Sequence, residues 1–199
     1  MFWNRIAGFY DFFEALYNKQ VYANTGKVAA EFIRKTDNVL ECACGTGAIS
    51  VWIAGACNTL VATDYAENML RKAKKKCDGF PNLRFEQADI MKLNYQDQAF
   101  DKVVAGNVIH LLKEPQKALA ELERVTKPGG QMIIPTYINM TKKSNRATIK
   151  LLELLGADFN RQFDLASYKA FFASLGYQSV AYRVVDGKMP CAIAIINKT

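Results

Sequence analysis

The sequence predicts an α/β fold: a seven-stranded, mainly parallel, doubly wound sheet with helices on both faces and a terminal antiparallel hairpin. Three observations predict it. Short apolar runs of strand length alternate with stretches of helical periodicity along most of the chain. One run, Val39 to Cys42, passes through a glycine turn directly into a helical pattern, the joint on which parallel α/β sheets build their sites. The last two runs are joined by Asp186-Gly187-Lys188, and Asp-Gly in a short connection signals a hairpin.

The elements follow in order. Residues 1 to 22 carry eight large aromatics: Phe2, Trp3, Phe9, Tyr10, Phe12, Phe13, Tyr17 and Tyr22. Arg5, Asp11 and Glu14 interrupt any signal-like apolar core, and no stretch of the chain approaches the ~20 apolar residues of a membrane span. So many aromatics need an apolar surface, which makes this segment either a helix packed on the domain or a lid over a site. The sequence divides accordingly as one domain over 1–199, with an aromatic cap over 1–24 and a core over 25–199.

A helix is expected from Thr25 to Lys35, with Val28, Ala29, Phe32 and Ile33 inward. Ala48, Ile49, Trp52 and Ile53 open a second helix behind the glycine turn. The strand Thr59 to Thr63 delivers Asp64, and the helix after it buries Met69, Leu70 and Ala73. Its outer face carries Arg71, Lys72, Lys74, Lys75 and Lys76, most simply a solvated face. Strands follow at Asn82 to Gln87, leading into Ala88-Asp89-Ile90, and at Phe100 to Gly106, ending at Asn107 to Leu112. Pro115 opens a helix that Lys127-Pro128-Gly129-Gly130 terminates, before the strand Gln131 to Thr136 and Tyr137 at its end. Thr141 to Arg146 is a polar loop, and Ile149, Leu152 and Leu155 read as a helix. Asp164 caps another helix that runs to Gly176, and the strands Tyr177 to Val185 and Pro190 to Ile196 complete the sheet.

The chemistry centres on Val39-Leu40-Glu41-Cys42-Ala43-Cys44-Gly45-Thr46-Gly47. Gly45 and Gly47 let the chain turn sharply and let a ligand approach bare backbone. A helix N-terminus just beyond is suited to a nucleotide-like cofactor. Asp64, 17 residues after Gly47, can accept hydrogen bonds from two ribose hydroxyls. A nicotinamide dinucleotide is the alternative occupant, but its third glycine would fall on Ser50.

The run Leu40 to Gly47 resembles the first motif of class I S-adenosylmethionine-dependent methyltransferases, and Asp64-Tyr65-Ala66-Glu67-Asn68-Met69-Leu70 resembles the second. Glu41 stands where that family often has Asp, and Ala43 where it often has the first Gly. Ala88-Asp89-Ile90 is similar to the third motif, and the resemblance extends over nearly the whole chain, most closely to small quinone, lipid and metabolite methyltransferases. It implies S-adenosylmethionine as methyl donor and S-adenosylhomocysteine as product. It implies contacts from Glu41, Ala43, Gly45 and Gly47 at the methionine end, Asp64 at the ribose and Asp89 with Ile90 at the adenine, with Tyr65, Met69 and Asn107 also touching the cofactor. Candidates on the acceptor side are Tyr10, Tyr17, Tyr22, His110, Tyr137 and Arg146. Of these, His110 and Tyr137 are also candidate catalytic groups, and His110, the one histidine, has an ordinary pKa near operating pH.

A net charge of +7 would suit an acidic substrate or a negatively charged surface. The five cysteines lack a paired framework, which points to a reducing, cytoplasmic setting, and no metal-ligating cluster stands out. The resemblance to the small quinone, lipid and metabolite methyltransferases implies a small-molecule acceptor. The absence of Pro-Pro-aromatic after Asn107 counts against a flipped base. A nucleic-acid methyltransferase is one alternative, and a protein that binds the cofactor without turnover is the other.

Overall fold

The computed structural model describes residues 19–138 and 160–199. The expected aromatic cap up to residue 18, the helix about Ile149 to Leu155, and the site candidates Tyr10, Tyr17 and Arg146 lie outside the described residues. The chain runs α1 (Lys19–Ala30), β1 (Asn38–Cys42), α2 (Ser50–Ala54), β2 (Thr59–Asp64), α3 (Glu67–Lys76), β3 (Leu83–Gln87) and β4 (Phe100–Ala105). A 3₁₀ turn (Ile109–Leu111) follows, then α4 (Pro115–Val125), β5 (Thr126–Tyr137), α5 (Leu165–Ser174), β6 (Val180–Val185) and β7 (Cys191–Asn197).

The seven strands form one sheet in the order β3-β2-β1-β4-β5-β7-β6. The first five are parallel, and β7 runs antiparallel between β5 and β6. The chain travels outward from β1 to β3 and then returns to place β4 on the other side of β1. Helices leave neighbouring strands in opposite directions at that reversal, which opens a crevice at the C-terminal ends of β1 and β4.

Strand alternation divides the core between the two faces. On one face Val39, Leu60, Ala62, Val104 and Ile133 pack with Ala29 of α1, Ile53 of α2, and Leu70 and Ala73 of α3. On the other, Leu40, Val61, Val103, Met132 and Ile134 meet Leu119 and Leu122 of α4 and Tyr168 and Phe172 of α5. Asp164 caps α5 in a reciprocal capping box with Ser167, as its position before a helical pattern requires.

Several boundaries differ from the sequence reading. Helix α1, described from Lys19, runs across residue 24, where the expected division between cap and core lay, and ends at Ala30, short of the expected Lys35. Tyr22 and Val21 on its first turns belong to the buried core. Helix α2 is short because residues 45 to 49 are spent in turns around the glycines. Lys127-Pro128-Gly129-Gly130 does not separate α4 from a later strand. Phe100 pairs with Thr126 but Lys102 pairs with Gln131, so these four residues bulge out of β5. Gly129, at φ +73, closes the bulge by donating its N–H to the Lys198 carbonyl at 2.8 Å.

Candidate functional site

A cleft of about 300 Å³ lies across the C-terminal ends of β3, β2, β1 and β4. Each strand end delivers one part of its wall. Asp89 and Ile90 follow β3, Asp64 and Tyr65 end β2, Ala43 and Gly45 follow β1, and Asn107 follows β4, while Met69 of α3 closes one side. Adjacent strands stand ~4.8 Å apart, so these groups form a row of roughly 14 Å. That suits an extended molecule with chemically different ends.

The glycine loop is held in shape from several sides. Ala43, Gly45 and Gly47 all have positive φ, of 55°, 55° and 83°. Glycine is required at position 47 twice over, since a Cβ there would also sit 2.9 Å from the Cys77 sulfur. Lys76 Nζ donates to Thr46 Oγ1 at 3.0 Å and ties the loop to α3. Gly47 therefore seats the loop against α3 and is not among the groups of the cleft wall.

Asp64 links the loop to the next strand. One carboxylate oxygen accepts the Gly45 N–H at 2.9 Å and the other accepts the Ala66 N–H at 2.8 Å. Each oxygen keeps further lone-pair capacity for hydroxyl groups entering the cleft. Burial raises the Asp64 pKa above its usual value, and those backbone donors oppose the rise. Asp89 uses one oxygen to accept the Met91 N–H at 2.8 Å, a local turn that leaves the carboxylate at the rim.

Glu41 lies behind the loop, fully buried and off the cleft wall. Its Oε2 accepts the Ser50 hydroxyl at 2.6 Å, and its Oε1 has no hydrogen-bond partner among the described residues. Burial pushes its carboxyl up to about 8. His110 is likewise buried, with Nδ1 3.0 Å from Thr136 Oγ1, and burial pushes it down to about 4. The Tyr137 ring meets His110 edge-on at 6.1 Å and Tyr22 edge-on at 5.8 Å. These three rings are brought together beneath the end of β5, and none of them forms the wall of the cleft.

Val108, Leu111 and Leu112 lie in the loop after β4 that the family resemblance places on the floor of the site, but two further wall residues, Ala88 and Gly106, escaped the sequence reading. The signal available for them was position alone, just past the ends of β3 and β4. Asn160 and Arg161 carried none, yet they fix this wall from a distant part of the chain. Asn160 Nδ2 donates to the Leu111 carbonyl at 2.7 Å, and Arg161 donates to the carbonyls of His110 (3.0 Å) and Leu112 (2.9 Å). Among the described residues no three His, Cys, Asp or Glu side chains are grouped to hold a metal ion.

The donor set fits S-adenosylmethionine: a carboxylate for ribose, an acid and an apolar side chain where adenine would lie, and exposed loop backbone for the amino-acid end. Comparison with known proteins agrees. Residues 40–134 match a family described as "Methyltransferase domain". A demethylmenaquinone methyltransferase of Renibacterium salmoninarum is 31% identical over 75% of this chain and 70% of its own length. A ubiquinone/menaquinone biosynthesis C-methyltransferase of Bdellovibrio bacteriovorus is 38% identical, but over only 49% of this chain and 43% of its own. A solved structure from Thermotoga maritima, described as a SAM-dependent methyltransferase and possible histamine N-methyltransferase, shares the fold with a TM-score of 0.75. That likeness covers 100% of this chain and 99% of the other at 16% identity. The chain belongs to the class I S-adenosylmethionine-dependent methyltransferases, and S-adenosylmethionine is its cofactor.

Proposed function

We propose that this enzyme transfers the methyl group to a small, largely apolar molecule of the quinone, lipid or metabolite type, with the cofactor lying along the row of strand ends. The observation that carries this reading is the row itself: Asp89 and Ile90, then Asp64, then Ala43 and Gly45, then Asn107. In it Asp64 takes the ribose hydroxyls, Asp89 with Ile90 takes adenine, and Tyr65 and Met69 flank them. Ala43 and Gly45 present backbone to the amino-acid end. Glu41 and Gly47 act from behind, by holding the loop.

The bound cofactor supplies a methyl group on a positively charged sulfur, already activated for displacement. The protein's part is to align the two reactants and keep water away. Val108, Leu111 and Leu112 give the cleft an apolar side, which supports an apolar acceptor. The relatives named for quinone methylation support the same class. His110 and Tyr137 are read as packed groups under the acceptor side, because a buried imidazole held near 4 is a weak base at neutral pH. A cytoplasmic setting fits five cysteines that are all free. Among the described residues no helix is long and apolar enough to cross a membrane.

The test is incubation of the protein with methyl-labelled S-adenosylmethionine and fractionated cell extract, followed by mass spectrometry. Label in an organic-soluble small molecule is the expected result. Label confined to RNA or protein would overturn the acceptor class, and cofactor binding with no labelled product would favour a non-catalytic role.

A further inference from the structure

Asn107 occupies an unusual position. Its φ of 50° lies in the left-handed region, where Asn is tolerated better than most side chains. Its backbone N–H donates to the Pro135 carbonyl at 3.1 Å, which fixes the residue against β5. Its side chain reaches β7, where the Cys191 sulfur stands 3.6 Å from Asn107 Oδ1. The Ala192 carbonyl stands 3.9 Å from the same sulfur, and the Thr136 backbone hydrogen-bonds it. Cys191 is fully buried, and Thr25 of α1 lies against the same sulfur.

The Asn107 carbonyl arm is the one that faces this sulfur, at 3.6 Å. Burial pushes the Cys191 thiol up to about 12, so it remains S–H throughout the useful pH range. An S–H group can donate to that oxygen, which favours this orientation over one that turns the NH₂ arm to the sulfur, a weak acceptor. The NH₂ arm is then the one turned away from β7, on a residue that forms part of the cleft wall. Asn107 also sits at the β1 end of the row: a Cβ on its neighbour Gly106 would lie 3.5 Å from the Ala43 carbonyl. The part of the cofactor nearest the Ala43 loop is its amino-acid end, which carries a carboxylate.

We infer that Cys191 is a positioning residue: its thiol holds the Asn107 amide with the NH₂ group facing the cleft, where it donates to the carboxylate of the cofactor's amino-acid end. This rests on the cofactor placement proposed above and assigns a role to a residue of the antiparallel hairpin, far in sequence from every cofactor motif. A thiol is a weak donor, so its effect is to select one amide orientation, while the stronger charge-assisted bond is made by Asn107.

The test is calorimetric titration with two probes, S-adenosylhomocysteine and 5′-methylthioadenosine, which lacks the amino-acid end. Cys191→Val keeps the volume and removes the donor, Cys191→Ala is the smaller alternative, and Cys191→Ser keeps a donor. Asn107→Ala should weaken S-adenosylhomocysteine about tenfold and leave methylthioadenosine within twofold. Cys191→Val or Cys191→Ala should weaken S-adenosylhomocysteine three- to fivefold, again sparing methylthioadenosine, and Cys191→Ser should restore it. Adding Cys191→Val to Asn107→Ala should cost nothing more. A purely structural role would weaken both probes together, and that result, or an unchanged affinity in both non-donor variants, overturns the inference. Asp64→Ala serves as the control. If it weakens both probes while the Cys191 variants do not, only this inference fails; if it weakens neither, the cofactor placement fails.

Discussion

Ser50 Oγ donates to Glu41 Oε2 across 2.6 Å, joining the first turn of α2 to the C-terminal end of β1 behind the glycine loop. This single donor is less than a buried carboxylate requires, so the carboxyl retains its proton up to about pH 8. A folded-state pKa raised above the ordinary 4.5 means that the folded protein holds a proton the unfolded chain has lost. The associated stability is fully present below pH 4.5 and is lost as pH rises through about 8. The loss is on the order of 4 kcal/mol, or about 10 °C in melting temperature. Glu41→Gln, which keeps a Ser50 partner without an ionisable group, should flatten the melting curve between pH 6.5 and 8. An equally steep fall in that variant would remove Glu41 from the account.

His110 acts in the opposite sense. Its folded pKa is depressed from 6.5 to about 4, so its stability is present above pH 6.5 and is lost as pH falls through 4. The full effect is on the order of 3 kcal/mol. The two windows overlap from 4.5 to 6.5, where they oppose each other, so His110 is best read in the Glu41→Gln background. There, melting temperature should drop between pH 6.5 and 4, and adding His110→Gln should abolish that drop. Turnover should change less than tenfold in His110→Gln alone; a loss of 10²-fold or more would make His110 a general base.

Asp64 has a structural task and, on the proposed cofactor placement, a binding task. Asp64→Ala removes the acceptor for the Gly45 and Ala66 amides as well as the one proposed for ribose. Affinity for S-adenosylhomocysteine should fall at least tenfold, and the ligand-free protein should lose about 1–2 kcal/mol of stability. Asp64→Asn retains a carbonyl oxygen for one of those amides and should recover part of the stability but little of the affinity. Calorimetry and chemical denaturation together separate the two effects. Wild-type affinity in Asp64→Ala would contradict the ribose assignment.

The two glycines of the loop should separate in the same way. Gly47→Ala combines a left-handed φ with a Cβ 2.9 Å from the Cys77 sulfur, and should cost about 3 kcal/mol of stability. Gly45→Ala meets nothing within 4 Å, so its stability cost should be only about 1 kcal/mol. Its new methyl group would instead enter the cleft and should reduce cofactor affinity about tenfold. Denaturant midpoints and titration of both variants check this, and equal behaviour of the two would show that the loop has no distinct binding side.

The sheet was legible in the chain because most strands, such as β1, β2 and β4, are short apolar runs bounded by turn residues, and because Asp186-Gly187 announces the hairpin. Gly45 and Asp64 could be picked out because strand ends are visible where apolar runs stop and these residue types suit a turn and a hydroxyl acceptor there, while Ala43, Asp89 and Asn107 were picked out through the family resemblance. That α1 spans residue 24 was not legible, because Lys19 to Tyr22 follow an aromatic run that masks helical periodicity.

What the sequence determined by itself is therefore the order of elements and the residues that lie at the ends of parallel strands, since both follow from local periodicity and turn chemistry. Tertiary structure alone decided what surrounds them. Glu41 and His110 each look like ordinary titratable groups in the chain, but desolvation moves one up to about 8 and the other down to about 4. Asn107 is 84 residues from Cys191, and Leu111 is 49 from Asn160. Such contacts depend on which elements the sheet order brings side by side, and burial depends on everything packed around a group. Neither is a property of any local stretch of sequence.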